Sequence, residues 1–286
     1  MVTSSGGNAG AAVAYAAQQL GMGCHVVIMR NADSNIVEII RSYGATIEMC
    51  GDAYEETHAR AVDRVKSGKG SYLVHPFDNS ILWKGHSTII DELVQDLGHL
   101  SGAPSLIVTC CGGGGLTCGL IYGLRRHGWQ SQTKILVMET RGCDSLNAVA
   151  VAGGNRAKLD TITSNVPCLA AKEICEQLKN HFNESRPPIL SRVVDDKDAF
   201  EACIRFANQH RFLVSTACGT TMSAFYTGLV GSVIENNEPI YNTIYDKYNH
   251  TDDFSHNTNG PVVAIICGGC DVTFDSMIKL KQSIES

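Results

Sequence analysis

Three turns hold the residue types best suited to chemistry: residues 4–10 ("SSGGNAG"), 112–115 ("GGGG") and 267–270 ("CGGC"). Small residues let a backbone approach a ligand closely, and the first N–H groups of a helix that follows have no partner within it. With the helix dipole adding about half a positive charge, such a turn is a ready site for phosphate or carboxylate. Four successive glycines are entropically costly for a mere connection. Placed between an apolar run and a helix starting near Leu116, they can aim several N–H groups at one phosphate with no lysine. In an open α/β sheet ligands bind at the carboxyl ends of strands, so the three turns are expected to converge on one crevice.

Other readings of these turns fit less well. A dinucleotide site wants G-x-G-x-x-G and an acid about 20 residues on. Glu139 stands where that acid would be, but Thr117 or Cys118 takes the third glycine position, and no lysine-bearing phosphate loop occurs. The C-x-x-C of the last turn suits a redox pair or zinc. No second ligand pair accompanies it, and a single cysteine presented to a ligand at a strand end fits better. His75 and His86 are read as structural.

The elements that must position these turns alternate along the chain. Apolar runs at 24–29, 105–111 ("SLIVTCC") and 134–140 ("KILVMET"), and the stretch "GPVVAIICGGC" at 260–270, predict buried strands, with further strands at 45–50 and 71–77. Helical spacing follows the first turn, recurs at 34–44 and 54–65, places Ile89, Ile90, Leu93, Val94 and Leu97 on one face, and resumes after the tetraglycine. Strands alternating with helices predict a parallel sheet covered on both faces. Residues 235–260, rich in Asn, Asp and His, are expected to form a solvated surface loop.

Composition sets the outer limits. A chain of 286 residues that is 44% hydrophobic and 18% charged is a soluble globular protein of one large or two modest domains. Its net charge of −6 argues against nucleic acid or an anionic membrane surface as a partner. With no apolar run long enough to span a bilayer and no secretory signal layout, a cytoplasmic location is expected. Many of the twelve cysteines lie in apolar strands or helices, where a reduced thiol acts as a small hydrophobe.

In order and spacing, "SSGGNAG", "HPFD" with "WKGH", "CGGGGLTCG", "METRGCDS" and "CGG" resemble the serine/threonine dehydratases, and most closely the animal L-serine dehydratases. The resemblance covers essentially the whole chain. It implies an α/β, fold-type II pyridoxal-phosphate enzyme, tryptophan synthase β-like, with two open parallel-sheet lobes: residues 1–74 the small, substrate-carboxylate-binding lobe and 75–286 the large cofactor-binding lobe. It implies pyridoxal 5′-phosphate as cofactor, with its phosphate on Gly112, Gly113, Gly114, Gly115 and Leu116. The substrate carboxylate would lie on Ser5, Gly6, Gly7, Asn8 and Ala9, with Asn8 also meeting the cofactor's phenolic oxygen. Cys267, followed by Gly268, would face the pyridine nitrogen. A potassium ion would be held by Gly112, Glu139, Cys143 and Ser145, and a homodimer is the family expectation. The implied activity is deamination of L-serine, or L-threonine, to a 2-oxo acid and ammonia. A catalytically silent interaction subunit and a dinucleotide-binding oxidoreductase are the other two functional classes weighed.

The chain departs from the family's pattern in three places. The family forms a Schiff base with a lysine in a segment like P-S-G-S-F-K upstream of the serine-glycine-asparagine turn, and none of the eleven lysines stands in that context. The expectation is a chain that starts midway along a strand, lacking the lysine segment and inactive by itself. Ser215 and Thr216 stand where relatives usually have Glu-Pro, and Leu169-Ala170 where they have Leu-Gly.

Overall fold

A computed structural model describes residues 1–68, 70–97, 102–235 and 260–285. The insertion expected at 235–260 therefore lies outside the described residues except for its two ends. The chain divides into two compact units, Met1–Asn79 with Gly268–Asp271, and Ser80–Cys267 with Val272–Ser286. Val74 to Asn79 fall with the first unit, and the chain returns to it at the third glycine-rich turn. Among the described residues, no helix is long and apolar enough to cross a membrane.

The first unit runs β1 (Val2–Thr3), α1 (Asn8–Gln19), β2 (His25–Ile28), α2 (Ser34–Ser42), β3 (Thr46–Met49) and α3 (Tyr54–Ser67). Its sheet is parallel, in the order β1-β2-β3. Val26, Val27 and Ile28 on the middle strand are fully buried. Alanines three residues apart on α1 (Ala11, Ala14, Ala17) share a core with Val26, Ile28, Ile36, Val37 and Ile40. Side chains that small let helix and sheet approach closely, while full burial of Ile40 contributes roughly 1.5–3 kcal/mol. α2 begins where the Asp33 carboxylate accepts the Asn35 N–H at 2.7 Å, and it stops before Gly44, which takes a left-handed φ of 79°. The strand expected at 71–77 shrinks to one bridge between Val2 and Leu73.

The second unit runs α4 (Ser80–His86), α5 (Thr88–Leu97), β4 (Leu106–Cys110), α6 (Gly115–Arg126), β5 (Lys134–Thr140), α7 (Ser145–Val151), α8 (Glu176–Glu184), β6 (Ile189–Val194), α9 (Asp196–His210), α10 (Thr216–Tyr226), α11 (Leu229–Ile234), β7 (Val262–Ala264) and α12 (Phe274–Glu285). The parallel order is β6-β5-β4-β7. The central strands are apolar along their length because both faces are covered. The last strand differs from expectation. It is three residues long, half-buried and at an edge; just before the ladder starts, Ser105 donates its N–H to Pro261 O and its hydroxyl to Gly260 O.

Helix α10 contains the stretch in which Ser215 and Thr216 replace Glu-Pro. Every residue from Ala217 to Ala224 is buried, and its hydroxyls bond back into the helix: Thr220 to Thr216 O at 3.0 Å and Ser223 to Thr220 O at 2.7 Å. Polar groups satisfied in this way can be buried at little penalty. A Cβ at Gly219 would lie 2.2 Å from the Ala199 carbonyl oxygen, so α9 and α10 touch through backbone.

Glycine also brings α6 against α4 and α5. A Cβ on Gly119 would stand 2.3 Å from His86 Cβ, and one on Gly123 2.5 Å from Ile90 Cβ. Helix propensity alone would make Gly123→Ala stabilising by about 0.5–1 kcal/mol. Overpacking against the fully buried Ile90 costs about 1–3 kcal/mol and outweighs it. Urea titration of Gly123→Ala is therefore expected to show a lowered midpoint, and a raised one would mean that the contact with α5 is not made.

Candidate active site

The tetraglycine follows β4 directly, and its last member but one sets the geometry. Gly114 takes φ 93° and serves as N-cap of α6 without any capping side chain. A Cβ there would meet Leu178 Cδ2 at 2.5 Å, and one on Gly112 would lie 3.1 Å from the Cys168 carbonyl oxygen. The loop's carbonyls are taken: Gly113 O accepts the Cys175 N–H at 2.9 Å and Gly114 O the Cys118 N–H at 3.0 Å. Its donors are not. Among the described residues no acceptor meets the N–H groups of Gly112 through Thr117, and Thr117 Oγ1 is buried without a partner. A run of unpaired N–H groups in a turn that only glycine can make, at a helix N-terminus, fits a phosphate dianion.

Beside this loop the structure joins two of the four expected cation ligands directly. Ser145 Oγ donates to Gly112 O at 3.2 Å, and Glu139 lies at the end of β5, fully buried. Its two oxygens accept the N–H groups of Leu146 and Asn147, each at 2.8 Å, which ties β5 to the start of α7. Burial pushes its carboxyl up to about 8 in spite of those bonds. Buried with both oxygens on backbone N–H groups, Glu139 does not stand open as the ribose ligand that the dinucleotide reading requires. Cys143 is buried, with Sγ 4.0 Å from Val166 O.

Cys267 keeps an exposed edge, while a hydrogen bond with the Cys218 thiol and, second, desolvation of the sulfur itself raise its pKa. It is a neutral S–H at neutral pH. Gly268 belongs with the first unit.

In that unit the opening turn is closed by contact of backbone with backbone. A Cβ on Gly10 would lie 2.0 Å from Ser5 O, and one on Gly6 3.3 Å from Ala32 Cβ. The Gly7 N–H reaches Ser5 Oγ at 3.4 Å, and Gly7, extended, starts α1 with no capping side chain. The N–H groups of Ala9 and Gly10 have no partner among the described residues. Asn8 Oδ1 accepts the Cys270 S–H at 2.9 Å, so the amide's donor end is the one oriented away from that contact.

Behind the turn stands a cluster that the sequence did not signal. Ser4 Oγ pairs with His58 Nδ1 at 3.0 Å; His58 lies edge-on to His75, with ring centres 4.8 Å apart, and stacks on Tyr54 at 5.6 Å. His75 Nδ1 accepts the N–H groups of Phe77 at 3.2 Å and Asp78 at 2.8 Å, which fixes the structural role expected for it. Burial, helped by the neighbouring His58, pulls His75 down to about 4. Cys175 and Leu178, which back the tetraglycine loop, were equally invisible: they follow Cys118 by 57 residues or more and carry no local pattern.

Comparison with known proteins gives consistent matches. The model of the family described as pyridoxal-phosphate dependent enzyme matches residues 1–238. A serine dehydratase-like protein of Rattus norvegicus is 34% identical over 284 residues, covering 99% of this chain and 79% of that one. The L-serine dehydratase/L-threonine deaminase of Homo sapiens is 32% identical over 286 residues, with 99% and 79% covered. Among solved structures, an L-serine ammonia-lyase from the fungus Rhizomucor miehei superposes with a TM-score of 0.81 at 23% identity, covering 99% of this chain and 82% of that one. Threonine deaminase isoform 2 of Solanum lycopersicum gives 0.75 at 21%, with 99% and 72% covered.

Two outcomes follow from this geometry. Gly114→Val puts a β-branched side chain at a left-handed φ and against Leu178, and is expected to weaken binding of a phosphate-bearing ligand by about 1–3 kcal/mol, read by titration; unchanged affinity would remove the loop from the site. His75, depressed below its unfolded value, contributes stability that is present above about pH 6.5 and lost as pH falls through about 4. His75→Asn, which keeps an acceptor that does not titrate there, should flatten the acid limb of stability against pH. Superimposable curves would show that His75 does not govern it.

Proposed function

Since the chain belongs to the pyridoxal-phosphate-dependent enzyme family, with the fold-type II architecture, we propose that it binds pyridoxal 5′-phosphate and serves the dehydration of L-serine, with L-threonine as a second substrate, to the 2-oxo acid and ammonia. The observation that carries this reading is the unbroken run of N–H groups from Gly112 to Thr117 that have no partner among the described residues. Those of Gly112 to Leu116 would hold the cofactor phosphate, with the α6 dipole in place of a cation. When bound, the cofactor supplies the electron sink for β-elimination.

The protein's own groups then divide the work. The turn of Ser5, Gly6, Gly7, Asn8 and Ala9 would take the amino-acid carboxylate on its N–H groups, and Asn8, its Oδ1 occupied by Cys270, would offer its amide N–H to an anionic oxygen. Cys267, held as a thiol, would give the pyridine nitrogen a neutral neighbour. A carboxylate there would stabilise a protonated ring and a long-lived carbanion. A thiol does not, which favours loss of the β-hydroxyl over transamination. A monovalent cation such as potassium would suit the oxygens of Gly112, Glu139 and Ser145 with the Cys143 carbonyl, and would brace the loop.

Proton removal at the substrate Cα needs an amine, and no lysine of this sequence stands in the family's context for it. We therefore assign binding of cofactor and substrate to the groups named above and expect none of the eleven lysines to hold the cofactor covalently. Phosphopyridoxyl-L-serine, a stable compound with both a phosphate and an amino-acid carboxylate, is the informative probe. It should bind about tenfold more tightly than phosphopyridoxyl-ethanolamine, which lacks the carboxylate, and Asn8→Ala should erase most of that difference. Borohydride treatment with pyridoxal phosphate should fix the cofactor to no single lysine. Equal affinity for the two probes would overturn the carboxylate assignment; one stoichiometrically labelled lysine together with pyruvate release would show that another amine does the work.

A further inference from the structure

At the back of the phosphate loop the second unit sets two thiols against each other. Cys118 Sγ and Cys175 Sγ lie 3.7 Å apart, with residue exposures of 0% and 4%. Cys118 is in the first turn of α6, and Cys175 is the N-cap of α8. Each grips the loop through its own backbone, Cys118 N–H on Gly114 O and Cys175 N–H on Gly113 O. Leu178, one turn into α8, is the residue against which Gly114 has no room for a Cβ. The reaction outlined above uses neither sulfur.

We propose that Cys118 and Cys175 form a redox-modification site, closed to a disulfide by hydrogen peroxide, and that closure weakens the loop's hold on phosphate. The first thiol attacks peroxide and becomes a sulfenic acid, releasing water. The second thiol displaces the hydroxyl as a second water while the S–S bond forms, so two electrons pass from the sulfur pair to the peroxide. Cys175, the less completely enclosed, is the first reached. Burial makes the step slow, since inert thiols are the buried ones; Cys111 also lies within electrostatic reach of Cys175, but the direct contact between sulfurs is the one with Cys118.

The consequence follows from distance. An S–S bond is about 2.05 Å long, so closure draws the two sulfurs together by roughly 1.6 Å. Side-chain rotation absorbs part of this; the remainder moves the start of α8 toward α6. Leu178 travels with it, into a contact with Gly114 that has no slack, and the carbonyl grips on Gly113 and Gly114 shift together. The N–H groups between them are displaced from a common focus. This second step rests on the phosphate reading of the loop, whereas the cross-link itself does not.

The test uses the 286-residue protein, treated with graded hydrogen peroxide, alkylated while unfolded and digested with trypsin without reduction. The peptide 173–179 ("EICEQLK") is expected joined to 85–125, lighter than their sum by two hydrogens, with fragmentation placing the link at Cys118 and not at Cys110 or Cys111. Pyridoxal phosphate titrated into the cross-linked protein should bind about tenfold more weakly than into the reduced protein, dithiothreitol should restore it, and Cys175→Ser should be insensitive to peroxide. A link from Cys175 to Cys110 or Cys111, or over-oxidation of Cys175 with no link, would overturn the pair. Full cross-linking with unchanged affinity would overturn the coupling. A reduced protein that binds no pyridoxal phosphate would overturn the phosphate reading and the coupling with it, while the peptide map decides the pair by itself.

Discussion

Everything proposed for the second unit depends on one constraint, the left-handed turn at Gly114 with Leu178 pressed against it. The turn converts the end of a buried parallel strand into the start of a helix within a few residues. Because the carbonyls of Gly113 and Gly114 are tied to Cys175 and Cys118, the turn cannot relax to satisfy its own donors. A row of N–H groups is left without partners, at the end of α6 where the helix dipole is positive. The anion site proposed there is the counterpart of the way the loop is held from behind.

A second feature shared by both units is the scarcity of formal charge. The tetraglycine loop has no lysine or arginine within it, the opening turn none either, and the thiol at Cys267 is neutral. Fixed dipoles attract an anion without the desolvation that a buried cation would impose. The buried acid close by, Glu139, is used to start α7 and holds its position through two backbone N–H groups. Positioning by backbone also explains the glycines at positions 6, 10, 112 and 114: each marks a place where a Cβ would meet a neighbour's atoms.

How much of this was legible in the sequence varies with the range of the interaction. The strands at β2, β4 and β5 and the helices α2, α3, α5 and α6 emerged from local patterns, because periodicity and glycine stops act within a few residues. The strand at 71–77 did not form as expected: alternation along "SYLVHPF" is only weakly supported by neighbours, and a single bridge to Val2 remains. Strand β6 and the helices around it gave no strong local signal, and α10, buried on all sides, carries hydroxyls that only their bonds to preceding carbonyls make tolerable.

By itself the sequence determined the fold class, the family, and which turns could bind anions, since four glycines in a row and a serine-glycine-asparagine turn are local statements about backbone freedom. Tertiary structure alone decided what those turns lean on. It brought Leu178 and Cys175 to the back of the tetraglycine, buried Glu139 on the start of α7, and set Ser4 on His58 behind the opening turn. These partners lie tens of residues apart along the chain, and what joins them is the packing of helices on a parallel sheet, where burial and backbone hydrogen bonding must be satisfied together and no local pattern records the outcome.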